Sequence, residues 1–272
     1  MYLVIEKSFD MEKILRKLFI REQKSASQIA QILDLTTNQV YSQLTKYQIR
    51  KNKPKATQWF NQTLKNFTDE EIYILGFLWA DGYLNGNDKK RNLQCEIIHD
   101  DFLDLEKTFD KVGKWGKHTR AASIKNGVSR KARTTLTISD TKLIAKFISL
   151  LDFDKKSHVS PNKLLKIIPL KRQYLFYRGY IDGDGCFYIT DKAKHFFIGS
   201  TYNQDWSHIK NLFNKLKIQH YNIQKNVSKL GHKDSRIRIS SIDAIQKLVA
   251  YLYQDRTDIG LKRKYEKVKN YH

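Results

Sequence analysis

Two short acidic motifs carry the chemistry that can be read first. Residues 74–84 read ILGFLWADGYL and residues 175–189 read LFYRGYIDGDGCFYI, so Asp81-Gly82 and Asp184-Gly185 fall 103 positions apart, each behind an apolar stretch. Asp-Gly after a helix is a common turn, and a single copy would mean little. Two copies behind glycine-bearing apolar helices are a repeated device. Gly76 and Ala80 are four apart, as are Gly179 and Gly183, which lets two helix backbones approach closely. Helices packed on these faces would bring Asp81 and Asp184 together at their C-terminal ends. Two carboxylates at the negative ends of two helix dipoles repel each other. A divalent cation relieves this, and Mg²⁺ takes one or two carboxylates plus water and phosphate oxygens. An EF-hand over DGDGCFYITDKAK is excluded, because its further oxygen ligands and closing Glu are missing.

The elements that must position these acids also come twice. Thr68 and Glu71 form a capping-box signature, and residues 72–80 are then apolar all round, as in a helix buried on every side. Each motif helix is followed by a strand pair (LQCEIIH; HFFIGSTY) and an amphipathic helix (DDFLDLEKTFDKV; NQDWSHIKNLFNKL). A second strand pair and a closing helix complete each unit. The order αββαββα appears over 68–166 and again over 167–272, which predicts an α+β fold of two half-domains related by a pseudo-two-fold axis.

Ahead of the repeat, Met11, Ile14, Leu15, Leu18 and Phe19 form an apolar stripe at helical spacing. Ser27 is expected to cap a short helix carrying Ile29, Ala30 and Leu33, Asp34–Thr36 to turn, and Thr37 or Asn38 to open a second helix. Residues 1–50 thus read as helix-turn-helix-like, with Asn38, Gln39, Ser42, Thr45 and Lys46 facing away from the apolar stripe and suited to base edges and phosphates. A helical hairpin packed on the larger part is the plainer alternative. Residues 51–67, with a basic start and Pro54, read as a linker.

Composition sets the partner. The chain has 272 residues, 50 Lys+Arg, 28 Asp+Glu and a formal net charge of +22. At 40% hydrophobic residues it can build a core, so a disordered basic tail is excluded. Residues 1–50 carry a surplus of only 3 positive charges and the remainder 19. No membrane span or signal peptide is evident, and Cys95 and Cys186 are too few for a disulfide framework or thiolate zinc site. The expectation is an intracellular protein in a reducing compartment, bound to nucleic acid. Its strands suit that partner. Arg236 and Arg238 share one face opposite Ile237 and Ile239. Lys131, Arg133, Thr135 and Thr137 share another, Asn222, Gln224 and Asn226 a third with Lys225 nearby, and Arg120 and Lys125 lie on the strand before them. Such faces can lie along a major groove and read bases.

LGFLWADG and RGYIDGDG resemble the two LAGLIDADG motifs of double-motif, monomeric homing endonucleases, over about residues 68–272. The resemblance implies a saddle of antiparallel sheets and a monomer that cuts both strands of a long, asymmetric DNA site by Mg²⁺-dependent hydrolysis. Ca²⁺ would occupy the site without supporting cleavage. The last acid of each motif, Asp81 and Asp184, would hold metal, with Gly82 and Gly185 in the metal site. Asp182 occupies an earlier acidic position not used as the main ligand, where the first copy has Trp79. The closing GLKRKYEKV also resembles the family's end segment, which makes Lys262 or Lys264 the candidate assisting lysine. Lys155 or Lys156 would be the first-copy counterpart. The same fold also implies two alternatives, a catalytically silent DNA-binding regulator or a maturase acting on intron RNA. No splice-junction signature is present, so a free-standing frame from an intron or intergenic region is expected. Frequent Lys, Asn, Ile, Tyr and Phe suggest an AT-rich phage, bacterial or organellar genome.

Overall fold

The computed structural model describes residues 11–22, 24–49, 66–87, 91–125, 127–228, 230–255 and 259–271. The chain divides into two compact units, residues 1–57 and 58–272. The linker expected over 51–67 lies, up to residue 65, outside the described residues.

In the smaller unit, residues 11–15 are helical and run into a π-helical segment, Arg16–Arg21. Helix α1 (Ala26–Leu33) and helix α2 (Thr37–Lys46) follow, joined by a three-residue turn in which Asp34 adopts φ 53°. Ser25 rather than Ser27 caps α1: its hydroxyl accepts from Gln28 N–H while the Gln28 side chain accepts from Ser25 N–H. This reciprocal box satisfies two otherwise orphaned donors, and Ser27 has no glutamine or glutamate three residues on. Thr36 and Gln39 repeat the arrangement at α2. Leu15, Leu18, Ile29, Ala30, Val40, Leu44 and Ile49 form the unit's own core.

The larger unit repeats one plan. Helix α3 (Asp69–Asp81) runs into strand β1 (Gly82–Asn85), followed by β2 (Asn92–Ile98) and helix α4 (His99–Val112). Strand β3 (Gly116–Arg120) leads into a small exposed hairpin, β4 (Ser123–Lys125) and β5 (Val128–Arg130), and returns as β6 (Arg133–Ile138). Helices α5 (Thr141–Leu151) and α6 (Asn162–Ile167) close the first half. The second half runs α7 (Gln173–Asp184), β7 (Gly185–Ile189), β8 (Lys194–Thr201), α8 (Ser207–Lys215), β9 (Asn222–Val227), β10 (Lys233–Ile239), α9 (Ile242–Leu252) and α10 (Lys262–Val268). The two antiparallel sheets have the same order, β1-β2-β6-β3 and β7-β8-β10-β9. The fold is α+β.

Each strand's alternation settles which face is covered. Leu93, Cys95 and Ile97 of β2, and Leu136 and Ile138 of β6, turn into the core, as do Phe196 and Ile198 of β8 and Ile237 and Ile239 of β10. One apolar cluster runs through both halves. The hairpin β4–β5 keeps the register of β3–β6 across a two-residue break on each side, with Arg120 opposite Arg133 and Ser123 opposite Arg130. The first half's ribbon therefore extends further than that of the second. Among the described residues no helix is long and apolar enough to cross a membrane.

Candidate functional site

Helices α3 and α7 make the most extensive contact between helices in the molecule, and its geometry follows from two glycines. A Cβ on Gly76 would stand 2.0 Å from the Phe176 carbonyl oxygen, and one on Gly179 would stand 2.0 Å from that of Tyr73. The 103-residue repeat offset carries Gly76 onto Gly179 and Tyr73 onto Phe176, so it exchanges the two contacts and the helix pair is close to two-fold symmetric. Farther down, a Cβ on Gly183 would stand 2.4 Å from Ala80 Cβ and 3.0 Å from Asp81 Oδ2. The small residues picked out in the sequence thus form the crossing, and Asp81 lies against the last turn of α7.

Asp81 and Asp184 end their helices, both half-buried. Burial, and then the charge of Asp81, push the Asp184 carboxyl up to about 7, against the opposing pull of Lys156 and Lys264. Burial also raises the pKa of Asp81, while Lys156, Lys264 and Arg133 lower it. Both carboxylates lie in a poorly solvated place, and the charge of Asp81 reaches Asp184.

The lysines act on the helix ends. Lys156 Nζ donates to the carbonyls of Trp79 (2.9 Å) and Ala80 (2.6 Å), and Lys264 Nζ to those of Ile181 (2.6 Å), Asp182 (2.5 Å) and Gly185 (2.7 Å). Each ammonium thus meets the negative end of one motif helix and the carbonyls left over there. Lys264 is buried and its three donors are all used, whereas one donor of Lys156 remains beyond its two bonds. Desolvation lowers the pKa of both lysines, and nearby aspartates oppose it. Lys262 stands elsewhere: it is exposed, with Nζ 3.7 Å from Asp104. Lys155 is exposed as well. Of the four lysines named from the sequence, the structure brings Lys156 and Lys264 to the acids' helices.

Asp182 had no assigned role in the sequence and has a clear one in the fold. It is buried, and its Oδ2 accepts from Tyr73 Oη (2.7 Å) and from Leu261 N–H (3.0 Å). Burial raises its pKa, against Lys264 and these two hydrogen bonds. Arg263 in α10 adds a bidentate pair with Asp101 of α4, at 2.5 and 2.7 Å. The C-terminal segment is thereby fastened to both halves.

The open faces of the sheets carry the other candidates. Thr135 and Thr137 lie with Arg133 on the uncovered side of β6, across from His118 and Arg120 of β3 and Gln94 and Glu96 of β2. Glu96 pairs with both Arg120 (3.1 Å) and Arg133 (3.0 Å), so these two cations share one carboxylate, which no local spacing could have shown. Lys131 is exposed just before β6. Lys125 lies in β4, and its side chain is outside the described atoms. In the second sheet Arg236 stands across from Gln224, and Arg238 from Asn222, with Asn226 donating to Asp234. Lys225 belongs to the other face of its strand and lies over the Tyr202 ring, 4.6 Å from its centroid. Stacked Tyr188 and His195, and Phe197 under Arg236, add an aromatic strip to the open face that the charge pattern did not disclose. In the smaller unit Asn38, Ser42 and Lys46 are exposed on α2, and Tyr41 stands beside them, 57% exposed.

No family model matches the chain, and no curated protein matches it. Solved structures do resemble it. The homing endonuclease I-WcaI bound to its DNA recognition sequence is 16% identical, with a TM-score of 0.45 over 70% of this chain and 81% of that one. I-DmoI in complex with DNA and Ca is 14% identical, with a TM-score of 0.45 over 74% and 97%. Full-length DUF199/WhiA from Thermatoga maritima is 16% identical, with a TM-score of 0.39 over 79% of this chain and 66% of its own. At such values these are likenesses alone, and any assignment of chemistry rests on the chain's own residues.

Proposed function

We propose that this protein is a metal-dependent, double-strand DNA endonuclease of the double-motif LAGLIDADG type, acting as a monomer on a long asymmetric site. The observation that carries the reading is the helix pair α3–α7, which sets Asp81 and Asp184 at adjoining helix ends, each end clipped by one lysine. Nothing in the stability of a core calls for two repelling carboxylates there. Among the described residues no three His, Cys, Asp or Glu gather into a metal cluster. Two carboxylates, completed by backbone oxygen near Gly82, water and phosphate, fit the sparse protein ligation that Mg²⁺ accepts, while the Gly185 carbonyl is already bonded by Lys264. Bound there, Mg²⁺ would lower the pKa of an attacking water and stabilise the leaving oxygen. The protein's share is to hold Asp81 and Asp184 in place, with Lys156 and Lys264 favouring their ionised form against burial, and Lys156 has a donor left for a phosphate oxygen.

DNA is the substrate that matches the charge. The open face of the second sheet offers Arg236, Arg238, Asn222 and Gln224 together, side chains suited to base edges in a major groove. Lys131, Thr135 and Thr137 extend this on the first sheet, and α2 contributes Asn38, Tyr41, Ser42 and Lys46 in the manner of a recognition helix.

The test uses a plasmid carrying the sequence that results when this coding frame is removed from its genomic surroundings. The unaltered chain is expected to linearise it with Mg²⁺ and to leave it intact in EDTA. Asp81→Asn and Asp184→Asn should each keep duplex binding and lose double-strand cutting, by roughly a hundredfold or more. Undiminished cutting by both variants refutes the assignment. Binding without any metal-dependent cut would instead make the chain a DNA-binding regulator.

A further inference from the structure

The two motif helices are alike in backbone and unlike in what stands behind them. Position 182, two residues before the end of α7, is an aspartate, and its counterpart in α3 is Trp79. Trp79 packs edge-on against Phe153, at 5.8 Å and 86°, so at this position the first helix end has a ring pair where the second has an acid. Asp182 instead gathers two donors from distant parts of the chain, Tyr73 Oη from the other motif helix and the Leu261 N–H at the start of α10. Leu261 is the residue that opens α10, and Lys264 follows within its first turn. Lys264 then spans the corner itself, bonding carbonyls on both sides of Asp184, at Asp182 and at Gly185. In the first half Lys156 bonds only residues that precede Asp81.

We propose that Asp182 is a positioning residue for one half of the site: it pins the start of α10, so that Lys264 holds the α7–β7 corner bearing Asp184, and one DNA strand depends on that support far more than the other. The inference rests on the nuclease reading. A carboxylate that accepts from a tyrosine and a backbone amide fixes both donors, and charge-assisted bonds of this kind are the strong ones. Loss of this clamp leaves the start of α10 held from the first half, by Asp101 and Asp104, and removes its tie to α7, which loosens Lys264 over the Asp184 corner while the Trp79–Phe153 backing of the Asp81 corner is untouched. A buried acid that served only the core would, on removal, slow both strands together.

The experiment reads each strand separately. The full chain is incubated in Mg²⁺ with the supercoiled plasmid described above, and nicks are assigned by labelling each strand. Asp182→Ala is expected to slow cleavage of one strand about tenfold more than the other and to accumulate nicked circles. Tyr73→Phe removes one donor and no acid, and should slow the same strand by a smaller factor. Asp182→Asn keeps an acceptor for Leu261 and should fall between them. If Asp182→Ala does not fold, the strand bias of Tyr73→Phe decides. Equal slowing of both strands, opposite bias in the two variants, or unchanged kinetics overturns the inference. If the unaltered chain makes no metal-dependent cut, the nuclease reading falls and this one with it, an outcome distinct from a chain that cuts and variants that slow both strands alike.

Discussion

Asp184 is destabilising where it stands, and the sign of that cost can be tested. Its carboxyl is pushed from an ordinary 3.8 up to about 7 by burial and by Asp81. The folded protein therefore binds this proton more tightly than the unfolded chain. Stability from this group is present below about pH 4 and is lost as pH rises through about 7. Asp184→Asn removes the penalty, so the metal-free variant should be more stable than the parent by ~2 kcal/mol at pH 8, a gain shrinking to nothing near pH 4. Urea denaturation in EDTA at the two pH values measures it, and a variant less stable at pH 8 would sink the idea. His208 works in the opposite direction. Its ring is buried, and burial lowers its pKa to about 3, against the opposing pull of Asp205. Its contribution is complete above about 6.5 and is lost as pH falls toward 3. Residues of the first kind were legible in the sequence, because two acids repeated at one spacing declare themselves. The role of Asp182 was not, and Lys156 stood only as one of two alternatives with Lys155. The partners of Asp182 lie 109 and 79 positions away, and the two lysines are 108 apart while the aspartates are 103 apart, so the insertion between them hides their equivalence.

Among the elements, α3 and α7 were the most legible, since a helix apolar on all sides with a glycine at the same place in each copy has few other uses. Their crossing makes a sharp prediction. Gly76→Ala and Gly179→Ala would each drive a methyl to 2.0 Å from a backbone carbonyl oxygen on the facing helix. Neither backbone can move without opening the core on which both halves rest. Each substitution should cost at least ~3 kcal/mol, although alanine has the higher helix propensity. Gly199→Ala is the control, because nothing lies within 4 Å of its added carbon. Thermal unfolding of the three variants separates the cases, and a loss at Gly199 equal to the others would remove the close-approach explanation. The hairpin β4–β5 was harder to see. GKHTRAASIK reads as one strand, and the break at 121–122 leaves no mark in polarity because neither side there is covered. The cap of α1 was misplaced by two residues. Ser25 and Ser27 are equally good caps by type, and the spacing from Ser25 to Gln28, the same signature as Thr68 to Glu71, is what separates them.

For the molecule as a whole the charge sets the scale of binding. Of the net +22, the residues after position 50 hold a surplus of 19, and the first 50 hold 3. Part of the larger surplus is tied up, as where Glu96 takes Arg120 and Arg133, but surface pairs of this kind are weak and phosphates compete for the same cations. Association with duplex DNA should therefore release counterions chiefly from the larger unit. If about 6–10 phosphates are contacted, affinity should fall by roughly 10³–10⁵ between 50 and 200 mM salt. Deleting residues 1–50 should leave that slope nearly unchanged. Any loss it causes should appear as reduced discrimination between the target and an unrelated duplex, because Asn38, Tyr41 and Ser42 are uncharged and suited to base edges rather than to phosphate. Binding isotherms for both chains across a salt series, on target and unrelated DNA, measure both quantities. A slope cut by half on deletion would place the phosphate contacts in the smaller unit, against the distribution of charge.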